Sequence, residues 1–170
     1  MSAIDNFEKY IETWIETLDK PVNDGNYSGK QCPYAKNIWQ NNKIKIVKIR
    51  DFTLDNFWST ISLECEKFDN TYEMVICGAE TNIHVLNGMQ LSGGVEAINS
   101  TLNVRNKDLW LVAQFGEIYS IVNMQTITGL DSQSKILQEK QYYNNRYNDY
   151  MFDIHVLRRR KMREKLDKKQ

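Results

Sequence analysis

The chain has 170 residues, with 22 Lys and Arg against 22 Asp and Glu, so its formal charge is zero. At 41% hydrophobic and 26% charged residues it has the composition of a globular protein able to bury a core without disulfide or metal staples. This excludes a collagen, a long disordered chain and a disulfide-rich miniprotein, and apolar runs such as Leu109 to Ala113 are too short to cross a bilayer.

The first twenty residues are rich in acids and hold no apolar block, which is not the pattern of a secretory signal. A soluble, cytoplasmic protein with no membrane partner is therefore expected. Within residues 3–19, Ile4, Phe7, Ile11, Trp14, Ile15 and Leu18 recur at helical spacing, and Pro21 ends the helix because it cannot continue the backbone ladder. Residues 21–31 read as a polar loop, with Gly25 and Gly29 as turn formers. Pro33 suits the first position of a short helix over Tyr34–Gln40, ended by Asn41 and Asn42.

Lys43 to Arg50 alternates lysine with isoleucine and predicts a strand. Asp51 or Thr53 can cap a helix whose apolar positions are Leu54, Phe57, Trp58, Ile61, Cys65 and Phe68. Tyr72 to Cys77 predicts a second strand, with Gly78 as its break. A helical turn is expected over His84–Met89, then an interruption at Gly93 and Gly94, then a helix through Val95, Ile98 and Leu102. Leu109–Phe115 and Ile118–Thr126 form a hairpin around Gly116 and Glu117. Asp131 or Ser132 starts a further helix, and Tyr150–Lys168 is the last.

Two strand–helix–strand steps favour parallel neighbours, and the late hairpin adds an antiparallel pair. The predicted class is α+β, a four-stranded mixed sheet flanked by helices, with long N-terminal and C-terminal helices. Residues 1–157 are expected to form one domain, followed by a basic helical tail over 158–170.

The neutral net charge conceals an asymmetry. Residues 158–169 hold eight basic and two acidic residues, a net +6, which leaves −6 on the rest of the chain. Such a segment can bind nucleic acid or an acidic protein, or it can be a solvated helix end whose charge suits the helix dipole.

The three cysteines, Cys32, Cys65 and Cys77, are odd in number and widely spaced, so they are no disulfide framework. His84 and His155 are the only histidines, and no local ligand pair exists to nucleate a zinc site. No metal or cofactor is expected. The stretch Gln31-Cys32-Pro33-Tyr34-Ala35-Lys36 puts a thiol at the expected start of a helix, where the dipole favours a thiolate, with Lys30 and Lys36 adding positive charge. The same residue serves equally as a small apolar side chain before a proline-initiated helix.

This motif is similar to half of a glutaredoxin active site, with Ala35 in place of the second cysteine, which excludes dithiol exchange there. Taken with the N-terminal amphipathic helix, the strand Ile44–Ile49, Asn144-Asn145-Arg146 and His155-Val156-Leu157-Arg158-Arg159, it resembles a bacterial domain family of unknown function whose members carry a Leu-Cys-Pro-Phe-Ala-Lys-like motif. A histidine-containing stretch of that family's central hairpin is replaced here by Gln114 to Tyr119. The resemblance implies that Cys32, Arg146, His155 and Arg158 converge from opposite ends of the chain. Cys32 and His155 then form a nucleophile–base pair, and Lys36, Arg146 and Arg158 hold a small anionic ligand. Against that, His155 can simply pack on its helix and Arg146 can pair with Asp149 or Asp153. Two functions follow: a ligand pocket around Cys32, extending to thiol-dependent catalysis, or a binding module that uses the basic C-terminal helix.

Overall fold

β-branched and apolar residues in short runs build the central sheet, and the computed structural model shows how the amphipathic helices close on its two faces. It describes residues 2–24, 27–32, 34–139, 142–143 and 147–170. The order is a 3₁₀ turn (Ala3–Asn6), α1 (Phe7–Asp19), β1 (Pro21–Asp24), β2 (Tyr27–Lys30), α2 (Ala35–Gln40), β3 (Ile44–Lys48), α3 (Leu54–Lys67), β4 (Met74–Glu80) and α4 (Gly88–Val104). The hairpin strands β5 (Trp110–Phe115) and β6 (Tyr119–Gln125) follow, then α5 (Ile127–Glu139), α6 (Asp149–Phe152), one π-helical turn (Asp153–Leu157) and α7 (Arg158–Asp167).

The sheet order is β3-β4-β6-β5. β3 runs parallel to β4, while β6 is antiparallel to both β4 and β5 and lies between them. The α+β class and the four-stranded mixed sheet flanked by helices thus match the sequence expectation. Alternation sorts the side chains of β4: Val75, Cys77 and Ala79 meet Phe57, Ile61 and Val95, while Met74 and Ile76 meet Ile11, Ile15 and Ile38. Burial on both faces explains why this strand is apolar from Met74 to Ala79, with the charged Glu80 only at its less buried end. Phe7, Ile11 and Ile15 are each at most 2% exposed, and burying each such side chain contributes about 1.5–3 kcal/mol.

Local signals set the helix ends, at Thr53 and Asn42 as the sequence suggested and at Asn87 where it had named no cap. The Thr53 Oγ1 accepts from the Asn56 amide at 3.1 Å, capping α3. Asn42 takes φ 54° just past α2, the left-handed conformation that ends a helix. Asn87 and Gln90 form a reciprocal capping box at α4, each side chain accepting the other's backbone N–H at 2.9 Å.

Four local expectations are corrected. Pro21–Asp24 and Tyr27–Lys30 pair as an antiparallel ribbon where a polar loop was expected, with Pro21 opposite Lys30 and Val22 opposite Gly29; Gly25 lies outside the described residues. The sequences Pro-Val-Asn-Asp and Tyr-Ser-Gly-Lys carry no alternation of apolar and polar residues, so no period-two pattern announced them. Gly78 lies inside β4 because the Phe7 ring fills its side-chain space: a Cβ there would sit 2.1 Å from Phe7 Cζ. Gly93 and Gly94 lie within one continuous α4, and Gly94 admits the Trp58 ring, which a Cβ would meet at 2.4 Å. Helix α5 starts at Ile127, one turn before Asp131. The Thr126 Oγ1 accepts from the Gly129 amide at 3.1 Å, and Asp131 is a buried residue of the helix body.

The C-terminal helices cover the edge of the sheet. Trp110 shares a face with Met74 through the register Trp110–Gln125–Met74. There it packs with Ile127, Ile154 and Met162. Leu111 points to the opposite face and joins the core under α4. Helices α4 and α7 therefore flank the edge strand β5 from opposite faces. Asn99 of α4 closes part of that edge: its amide donates to the Leu111 carbonyl at 2.9 Å and accepts the Leu111 N–H at 2.8 Å. Among the described residues, no helix is long and apolar enough to cross a membrane.

Candidate functional site

Helix α2 has Tyr34 as its N-cap, so Cys32 stands two residues ahead of the cap and not at it. The reason is visible in the backbone: the Cys32 N–H donates to the Leu18 carbonyl at 3.0 Å, which ties this residue to the end of α1. The thiol is half-buried against the cluster built from Ile11, Ile15, Ala35 and Ile38. The neighbouring lysines are engaged by carboxylates. Lys30 pairs with Asp19 at 2.6 Å, and Lys36 meets Asp19 at 3.2 Å and Glu16 at 3.5 Å. The Lys30 hydrogen bond lowers the pKa of Asp19, and Asp19 in turn raises that of Lys36. Their charge is spent on α1.

His155 occupies the π-helical turn, with its ring edge-on to Tyr147 at 6.4 Å between centroids. Its Nδ1 is buried and has no hydrogen-bond partner, and burial holds the imidazole below its usual pKa, with Arg159 pushing the same way. No hydrogen bond joins His155 to Cys32. Arg158 turns elsewhere, to Glu96 at 2.7 Å and Asp153 at 3.4 Å. Arg146 lies outside the described residues.

What the two ends of the chain do bring together is aromatic. Tyr34, from the cysteine motif, packs against the buried cluster of Leu137, Tyr143 and Val156, as do Tyr142, Tyr147 and Phe152. Beside this cluster Arg159 is only 5% exposed, although the sequence places it in a solvated basic run. Its Nε is buried without a hydrogen-bond partner. Burial lowers the guanidinium's pKa, and Tyr143, Tyr147 and Asp131 oppose that shift. The Tyr143 hydroxyl donates to Ser134 Oγ at 3.0 Å. Among the described residues no group of three or more His, Cys, Asp and Glu side chains is placed to hold a metal ion.

A second site, which the sequence did not single out, lies between α4 and α7 at the β5 edge. It is a cleft of about 220 Å³ whose apolar floor is formed by Trp110, Ile154 and Met162. Its rim carries Glu96, Arg158, Lys161 and Lys165. The Trp110 indole Nε1 is buried without an acceptor. A neighbouring surface cleft of about 390 Å³ is bounded by Val104, Lys165, Lys168 and Lys169.

The charges of the last helix divide by residue type. Arg158 pairs with Glu96, Arg160 faces Asp131 at 3.7 Å, and Arg163 pairs with Asp167 at 2.9 Å. Lys161, Lys165, Lys168 and Lys169 have no carboxylate partner among the described residues; Lys165 alone reaches a side chain, the Asn103 Oδ1 at 3.5 Å. Lys161 and Lys165 stand one turn apart on α7, and Lys168 and Lys169 follow in the turn past its end, where with Lys165 they border the second cleft. That spacing was the available signal, lost in a run where nearly every residue is cationic.

No protein-family model matches the chain, and no curated protein or solved structure matches it. The resemblance to the Leu-Cys-Pro-Phe-Ala-Lys family therefore rests on the quoted motifs alone.

Proposed function

We propose that this protein is a binding module for anionic partners, held on the face where α7 meets α4. One observation carries the reading: three of the four arginines of α7 pair with carboxylates, whereas Lys161 and Lys165 of α7, with Lys168 and Lys169 just past its end, have no carboxylate partner among the described residues and stand beside an apolar cleft. A helix whose basic residues served only to solvate it has no need to separate them in this way. The buried Met162 and the partly buried Leu166 fix α7 on the body, so the lysine row is presented by a docked helix. A preorganised row of cations gives fast, salt-sensitive association.

The Cys32 pocket is the weaker reading. Its flanking cations are engaged by Asp19 and Glu16, and its thiol shares no hydrogen bond with the imidazole proposed as its base. Retention on immobilised heparin tests the binding reading. The wild type is expected to elute at a salt concentration clearly above that of Lys161→Glu/Lys165→Glu, with unchanged circular dichroism. Equal elution of the two proteins defeats it.

A further inference from the structure

The two edges of the sheet are finished differently. Along β5, Asn99 engages the Leu111 N–H and carbonyl. Along β3, at the other edge, no group among the described residues does the same. The Ile49 N–H donates to the Gly78 carbonyl, and the Lys43 carbonyl accepts from the Glu73 N–H, each at 2.8 Å. Those residues face β4, so Ile44, Ile46 and Lys48 turn their N–H and C=O groups outward, at intervals of about 6–7 Å. A row of surface lysines attracts any polyanion. An open ladder of amide donors and acceptors is matched by another peptide backbone.

This edge lies in a groove of about 440 Å³ lined by Glu8, Trp39, Ile44, Lys45, Ile46 and Tyr72. Its two sides have different chemistry. Ile44, Ile46 and Trp39 pack against the apolar cluster of Ile11, Ile15 and Ile38, where Lys48 stands 3.8 Å from the exposed Glu8. On the opposite face Lys45 bonds Glu64 of α3 at 2.7 Å. Lys43 is exposed and has no carboxylate partner among the described residues; its ammonium meets only the Thr71 carbonyl, at 3.5 Å. A strand laid along β3 therefore places every second side chain beside Ile44 and Ile46 and the alternate ones toward Lys43 and Lys45. A second copy of this chain is a poor occupant. Pairing β3 with itself gathers Lys43, Lys45 and Lys48 of each copy on adjacent strands, the device by which edge strands avoid one another.

We infer that the free edge of β3 binds an extended peptide segment in which apolar and acidic residues alternate, added to the four-stranded sheet as a fifth strand. The site lies at the far edge of the sheet from α7 and is independent of the anion-binding reading above.

The test is fluorescence anisotropy of the full-length protein with a short labelled peptide of alternating valine and glutamate. Two derivatives of equal charge carry N-methyl groups, one on every valine amide and one on every glutamate amide. In a strand these two sets point to opposite edges, so one derivative is expected to bind roughly tenfold or more weakly than the parent and the other to match it. Lys43→Glu is expected to weaken the parent peptide several-fold with unchanged circular dichroism, and a valine–lysine peptide is expected to bind more weakly still. Lys161→Glu/Lys165→Glu is expected to bind the parent peptide as the wild type does. No binding of the parent peptide, or equal binding by both methylated derivatives, overturns the inference. So does equal binding of the valine–lysine peptide. Loss of binding in Lys161→Glu/Lys165→Glu places the peptide on α7, which overturns the inference and leaves the anion-binding reading standing. A dimer in sedimentation that the peptide dissociates makes a second copy the occupant and overturns it too.

Discussion

The Tyr142 hydroxyl donates a 2.5 Å hydrogen bond to the Gln31 carbonyl, joining residues 111 positions apart. This contact, with the packing of Tyr34 against Leu137, Tyr143 and Val156, fastens the segment carrying Cys32 to the C-terminal helices. The ends of the chain do meet, through phenols rather than through the thiol, imidazole and guanidinium that the motifs suggested. Tyr142→Phe keeps the ring and removes the bond. Its expected cost is about 0.5–1.5 kcal/mol in urea unfolding. A faster native-state alkylation of Cys32 is expected with it, and unchanged stability and reactivity together count against this tether.

The three thiols differ in accessibility. Burial raises the pKa of Cys65 to about 11 and that of Cys77 further still, and both are at most 3% exposed. Cys32 is half-buried. Native protein treated with iodoacetamide is therefore expected to carry a single adduct, at Cys32, with the other two labelled only in denaturant. Mass mapping of the adducts decides it, and labelling of Cys77 in the folded state contradicts the double-sided burial of β4.

Adjacent glycines of α4 are expected to respond with opposite sign. Nothing lies within 4 Å of a Cβ built on Gly93, whereas at Gly94 it meets the Trp58 ring at 2.4 Å. Gly93→Ala is expected to stabilise by about 0.5–1 kcal/mol through helix propensity. Gly94→Ala is expected to destabilise by about 1–3 kcal/mol, because the ring must move within a packed core. Thermal melts of the two variants give the comparison directly, and Trp58→Leu is expected to relieve part of the Gly94→Ala penalty.

His155 predicts an acid-sensitive stability. Its folded pKa is lowered, mainly by burial and secondly by Arg159, with Glu96 opposing and the Tyr147 ring alongside. The unfolded chain therefore binds its proton at higher pH than the folded one does. Stability is unaffected above the unfolded value of about 6.5 and falls as pH drops from there through the folded value. The lowered carboxyls of Asp5, Asp19, Glu66 and Asp69 lose their contribution only further down, below about pH 4. His155→Gln is expected to flatten the melting temperature between about pH 6.5 and 4.5. A slope identical to the wild type's removes His155 as its source.

Much of the fold was legible because its signals are local. The spacing of Phe7, Ile11 and Ile15, the alternation from Lys43 to Arg50, the Thr53 cap and the Gly116 hairpin each depend on residues a few positions apart. Gly78 and Gly94 misread as breaks because the rings that require them, Phe7 and Trp58, arrive from other helices. Cys32 read as a helix cap because the competing acceptor for its amide, Leu18, belongs to another helix.

The sequence by itself determined an α+β chain with a mixed sheet, amphipathic helices and a cationic C-terminal segment, since period and composition are properties of neighbours along the chain. Only the tertiary structure decided which of those cations are neutralised: Glu96 and Asp131 reach Arg158 and Arg160 from distant helices, while the lysines keep their charge. Folding also placed Trp110 beneath α7 and so made a cleft from residues that no local pattern connects. Charge pairing and cavity shape depend on distances in space, which sequence separation does not encode.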